Sequence, residues 1–84
     1  QDKSLQAYLA EFPAIPADEA TEHLHEGSEF LHVLEGTLQV CYQDDEYTLQ
    51  TGDSVYFDSG VPHSYRGLGP GVCKAVVITT PPRV

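Results

Sequence analysis

The 84-residue chain has no methionine and no tryptophan, only two cysteines, and four basic residues against 13 acidic ones. Each shortage excludes something. A net charge of −9 repels phosphate, so this chain by itself is not expected to bind nucleic acid or an anionic membrane. The longest uninterrupted apolar run is Ala75-Val76-Val77-Ile78, far short of the ~20 residues that span a bilayer and too short for a secretory signal core. Cys41 and Cys73 form no CxxC pair, which argues against a zinc ribbon or a dithiol redox site. With no secretory segment, they are expected to be buried, reduced thiols in a cytoplasmic protein. The missing methionine is read as a removed initiator or as the sign of a piece cut from a longer protein. No segment carries a 3.6-residue apolar period long enough for a helix.

What is present is a succession of short alternating segments. Strands are predicted at 4–9, with Leu5, Ala7 and Leu9 on one side, and at 21–25, 29–34, 37–42, 46–50, 54–57, 63–66 and 72–80. Glycine, proline or acidic turns separate most of them. Residues 11–20 hold two prolines and three acids and are expected to be an irregular connection. Strands at this spacing indicate an all-β sandwich or barrel, and 84 residues indicate one domain. A chain this short buries only roughly 60–65% of its unfolded surface, so a metal or a partner subunit would help to stabilise it. A homodimer is expected, with residues 4–9 and 72–80 as the edges to be covered.

Three of the four histidines fall into one pattern with a carboxylate. His23 and His25 are two apart in a strand-like segment, so their side chains leave the same face. Glu29 follows the turn at Gly27, and His63 follows a loop through Gly60 and Pro62. Three neutral imidazoles and one carboxylate make a mixed nitrogen and oxygen site for a divalent transition ion: Zn, Ni, Mn, Fe or Co. Imidazole binds a metal only when neutral, so occupancy is expected to fall below roughly pH 6. By strand parity His32 points away from the site with Phe30 and Leu34. Tyr65 shares the inward face with His63, either as a ligand-orienting hydroxyl or as an ordinary core tyrosine. Arg66 faces out. The run Asp44-Asp45-Glu46 is a solvated hairpin tip and lacks the spacing of a calcium loop.

The string His23-x-His25-x3-Glu29-x6-Gly36 resembles the first signature motif of the cupin superfamily. Gly52-x5-Asp58-x-Gly60-x2-His63 is similar to the second. It departs at Asp58, where the family usually has proline, and at Gly67, where it usually has asparagine; neither is a ligand position. The resemblance implies a double-stranded β-helix, or jelly-roll barrel, with His23, His25, Glu29 and His63 as metal ligands. KSLQAYLAEF, GDSVYFDSGVPHSY and AVVITTPP look like the C-terminal cupin domain of Xre-type helix-turn-helix bacterial transcriptional regulators. That likeness implies a single cupin domain over 1–84, with residues 1–20 as its N-terminal strand and connection. It also implies dimerisation, a small-molecule effector, and DNA binding through an N-terminal domain not contained in this chain. A small metal-dependent enzyme, such as a dioxygenase or isomerase, is the alternative; a metal-free dimerisation scaffold is the third.

Overall fold

A computed structural model describes residues 6–23, 27–58 and 60–80. Among these residues seven strands alternate with turns: β1 (Gln6–Phe12), β2 (Ser28–Glu35), β3 (Leu38–Tyr42), β4 (Asp45–Leu49), β5 (Ser54–Asp58), β6 (His63–Gly67) and β7 (Cys73–Thr79). One turn of 3-10 helix, Ala17–Glu19, interrupts the β1–β2 connection. The strands form two antiparallel sheets, in the orders β1-β7-β2-β5 and β4-β3-β6. This is the all-β architecture that the strand spacing predicts, in the jelly-roll form that the cupin resemblance implies. Among the described residues no helix is long and apolar enough to cross a membrane.

Strand alternation decides the core. On β2, Glu29, Leu31 and Val33 are buried while Phe30, His32 and Leu34 turn outward, as period-2 geometry requires. Leu38 and Val40 on β3, Leu49 on β4, Phe57 on β5, and Cys73, Ala75 and Val77 on β7 complete the interior. Gly36 and Gly52, at the turns before β3 and β5, have φ of 90° and 94°, values open to glycine and strained for other residues.

Three expectations change on contact with the structure. The first strand runs to Phe12, because its register with β7 continues from Gln6↔Thr79 to Phe12↔Cys73. Its inward residues are Tyr8, Ala10 and Phe12, and Leu9, grouped with the apolar side in sequence, is 61% exposed. The last strand is not an edge: β7 is hydrogen-bonded to β1 on one side and β2 on the other, so its backbone has no room for a partner strand. Cys41 is only half-buried, whereas Cys73 is buried and its thiol is pushed up by loss of solvent. Both are free.

The two departures from the cupin motif have local causes. Asp58 ends β5, and its carboxylate accepts the Gly60 N–H at 2.8 Å, so a hydrogen bond shapes this loop where proline otherwise would. Gly67 ends β6 where the β1–β2 connection crosses it. Its N–H donates to the Pro13 carbonyl at 3.1 Å, and Ala14 bridges to it. A Cβ here would overlap the carbonyl oxygen of Phe12.

Candidate metal centre

The site forms where the two sheets face each other. His63 opens β6 and is 1% exposed; Glu29, near the start of β2, is 5% exposed. His63 Nε2 and Glu29 Oε1 are 3.1 Å apart. The other ring nitrogen, Nδ1, lies 2.7 Å from the Val61 carbonyl. A carbonyl only accepts, so Nδ1 carries the proton and, in the neutral ring, Nε2 presents its lone pair to the carboxylate. A nitrogen and an oxygen so placed, out of water, suit a cation shared between them, whether a proton or a metal ion. The separation also lies near the ~3.0–3.4 Å between neighbouring ligands on one octahedral or tetrahedral ion at bond lengths of ~2.1 Å. In that respect this nitrogen and this oxygen fit a divalent transition ion.

His23 is placed beside them by its backbone. It pairs with His63 in an isolated antiparallel bridge, His23 N to His63 O at 2.6 Å and the reverse bond at 3.0 Å. Residues paired across such a bridge share a face, and the two rings lie 6.0 Å apart, centroid to centroid. Of the predicted strand at 21–25, residues 21–23 are described, and among them His23 makes this bridge. His25, the second histidine of the pair, lies outside the described residues. Among the described residues alone, no three His, Cys, Asp or Glu side chains gather into a group that could hold a metal. A four-donor centre thus depends on His25 joining Glu29 and His63, and on a closer approach by His23.

Tyr65 faces inward as parity predicts, and its hydroxyl has a definite partner: it donates to Glu29 Oε1 at 2.5 Å. Burial first, then this hydrogen bond and the carboxylate's charge, hold the phenol far above the usual tyrosine range, so it remains a donor. The ring lies 5.5 Å from that of Phe12 and 5.6 Å from that of His63, and Phe57 packs on His63 at 5.0 Å. Tyr8 was missed in the sequence. It lies on the inward side of β1, half exposed, and its phenol is raised by burial and by the charge on Glu29. The available signal was its alternation with Ala10 and Phe12, hidden by the more apolar Leu5, Ala7 and Leu9.

His32 sits on the outer face, where its Nδ1 is 2.7 Å from Ser54 Oγ. His32→Ala is therefore expected to leave metal content unchanged by elemental analysis. No cation lines the site among the described residues. Arg66 reaches away, donating to Gln39 Oε1 at 2.8 Å and to the Ile15 carbonyl at 2.9 Å, and Lys74 follows the outward parity of Val76 and Ile78 on β7.

The cupin domain family matches residues 14–79 of the chain. Among curated proteins, the HTH-type transcriptional regulator PuuR of Escherichia coli (strain K12) is 33% identical over 57 residues. That stretch is 68% of this chain and 31% of the regulator. PuuR of Shigella flexneri matches with the same figures. The chain thus spans about a third of the length of these relatives. Among solved structures, hydroxypropylphosphonic acid epoxidase from S. wedmorenis, in complex with fosfomycin, superposes with a TM-score of 0.82 at 30% identity. The match covers 90% of this chain and 43% of the enzyme. A Co(II) form of the epoxidase in complex with Tris buffer gives 0.81 at 32% identity, over 90% of this chain and 45% of that one.

Proposed function

The chain belongs to the cupin domain family, and on that premise we propose that it is the metal-binding sensor domain of a DNA-binding transcriptional regulator. A small-molecule effector would bind within the barrel, beside the ion. The observation that carries this proposal is the likeness to PuuR over two-thirds of the chain. The matched stretch is under a third of PuuR, and DNA contact is assigned to a part of the protein outside these 84 residues. A net charge of −9 agrees with that division of labour. His23, His25, Glu29 and His63 would hold the ion, which when bound would polarise an oxygen donor of the effector.

An effector shifts DNA affinity only if it binds one arrangement of the regulator better than another, typically by 5- to 150-fold. The test is titration of the intact, metal-loaded protein with candidate metabolites while operator affinity is followed by fluorescence anisotropy. A change within that range is expected for the effector. DNA affinity indifferent to every metabolite and to metal removal would defeat the proposal.

The likeness to the epoxidase favours one second possibility, a small metalloenzyme. Against it, the hydroxyl of Tyr65 is engaged by Glu29 and that of Tyr42 donates to the Asp58 carbonyl, which leaves few groups for acid–base work. Oxygen uptake by iron-loaded protein with candidate diols or thiols would decide for the enzyme.

The sensor is further proposed to be a homodimer, joined face to face. The outer face of the four-stranded sheet carries Leu9, Phe30, Leu34, Tyr56, Val76 and Ile78, with Leu9, Leu34 and Tyr56 61%, 47% and 69% exposed. In register these form rows such as Ala7–Ile78–Phe30–Tyr56 across all four strands. Charge on this face lies towards its margins, at Glu11, Lys74, Glu35 and Asp58, and His32, beside Ser54, is the titratable group nearer its centre. The acidic tip at Asp44-Asp45-Glu46 belongs to the other sheet. Two copies of so acidic a chain can meet here with little repulsion and bury apolar surface that a small domain otherwise leaves wet. Leu9→Glu is expected to turn a dimer into a monomer in analytical ultracentrifugation. A wild-type protein that stays monomeric at high micromolar concentration would contradict the assignment.

A further inference from the structure

We propose that Tyr65 is the positioning residue of this centre: its hydroxyl selects Oε1 of Glu29 as the oxygen that meets the ion and holds it on the His63 side. This rests on the metal-binding function proposed above. A glutamate carboxylate on a flexible stem can present either oxygen, and free rotation would spread its donor over several positions. Here one oxygen is singled out twice. Oε1 lies 3.1 Å from His63 Nε2 and 2.5 Å from the Tyr65 hydroxyl.

The donor and the acceptor come from different sheets. Glu29 is fixed on β2 between Phe57 of β5 and Thr79 of β7. Tyr65 is fixed on β6 opposite Val40. The phenol is held by rings on several sides, Phe12 at 5.5 Å, His63 at 5.6 Å, His23 at 6.2 Å and Phe57 at 6.3 Å. The hydroxyl is thus anchored by packing rather than by the ion, so the direction of Glu29 is set before metal arrives. A hydrogen bond to the ligating oxygen also draws electron density from it, leaving the ion a stronger Lewis acid. Val61 does the corresponding task for His63, accepting from Nδ1 so that Nε2 is the nitrogen turned towards Glu29.

The test is Co(II) titration of four proteins: wild type, Tyr65→Phe, Glu29→Ala and the double variant. Affinity and the visible ligand-field spectrum are both recorded, and melting of the metal-free proteins checks the fold. Tyr65→Phe keeps the ring and removes only the hydroxyl. It is expected to weaken Co(II) binding by about 10- to 100-fold, the usual effect of losing a partner of a ligand, and to shift the spectrum. In the Glu29→Ala background the same change is expected to alter affinity less than about twofold, because the coupling runs through the carboxylate. Binding and spectrum unchanged in Tyr65→Phe would overturn the proposal while leaving the metal site standing. So would an equal loss in both backgrounds, or a tyrosinate charge-transfer band in the Fe(III)-loaded wild type, which would make Tyr65 a direct ligand. A wild type that takes up no Co(II) would end the metal-binding function and, with it, this role.

Discussion

His63→Ala is expected to lower metal affinity by more than about 100-fold, beyond the 10- to 100-fold that partners of ligands account for. The residue supplies the donor nitrogen nearest Glu29, and no other described imidazole is equally placed. Its neighbour His23 has its ring centroid 6.0 Å away and is exposed. Isothermal titration calorimetry with Zn(II) or Co(II) measures the loss. The side chain is also fully buried against Phe57 and Tyr65, so the truncation leaves a cavity worth roughly 2–3 kcal/mol of stability. Circular dichroism of the metal-free variant is expected to retain the β signature with a lowered melting temperature. Affinity within tenfold of wild type would remove His63 from the centre.

Gly67→Asn is expected to destabilise the protein by roughly 2–4 kcal/mol, although it restores the residue most common in the family at this position. A side chain at 67 would overlap the Phe12 carbonyl oxygen, with the backbone of Pro13 close behind. Neither can yield cheaply, because the Gly67 N–H donates to the Pro13 carbonyl and Ala14 bridges to the same residue. Relief requires the connection between β1 and β2 to lift off β6, and overpacking against backbone falls at the upper end of such penalties. At about 4–8 °C per kcal/mol for a domain of this size, melting is expected to fall by ~8–32 °C. The connection also runs on towards His23, so metal affinity should fall with it. A variant as stable as wild type would show that this close approach is not required.

Most of the fold was legible because alternation is a local signal. Leu38 and Val40, or Leu31 and Val33, announce a buried face within a few residues. The strand limits predicted for β2 to β7 therefore lie close to those observed. Beyond residue 12 the β1–β2 connection follows no such pattern: Arg66 and Gly67 of β6 hold it in place, and neither is local to it. The first strand was read on its more apolar side, whereas at the sheet edge the inward positions belong to Tyr8, Ala10 and Phe12. The position of β7 inside the sheet depends on which strands pair, which alternation does not reveal.

The candidate centre was legible to a different depth. The motif spacing named His23, His25, Glu29 and His63; of these, Glu29 and His63 meet, His23 is tied to His63 through its backbone, and His25 lies outside the described residues. Strand parity turned Tyr65 inward and His32 outward, as found. The Tyr65–Glu29 hydrogen bond was out of reach, because it spans 36 positions and depends on the distance between two sheets. The motif alone also gave no reason for Gly67, whose cause lies in the Phe12 carbonyl.

The metal content of the purified protein tests the central claim most directly. After equilibration with a divalent transition metal at neutral pH and removal of excess, elemental analysis is expected to find one ion per chain, lost in His63→Ala and kept in His32→Ala. A wild-type protein that retains less than a tenth of an equivalent of every such metal would contradict it.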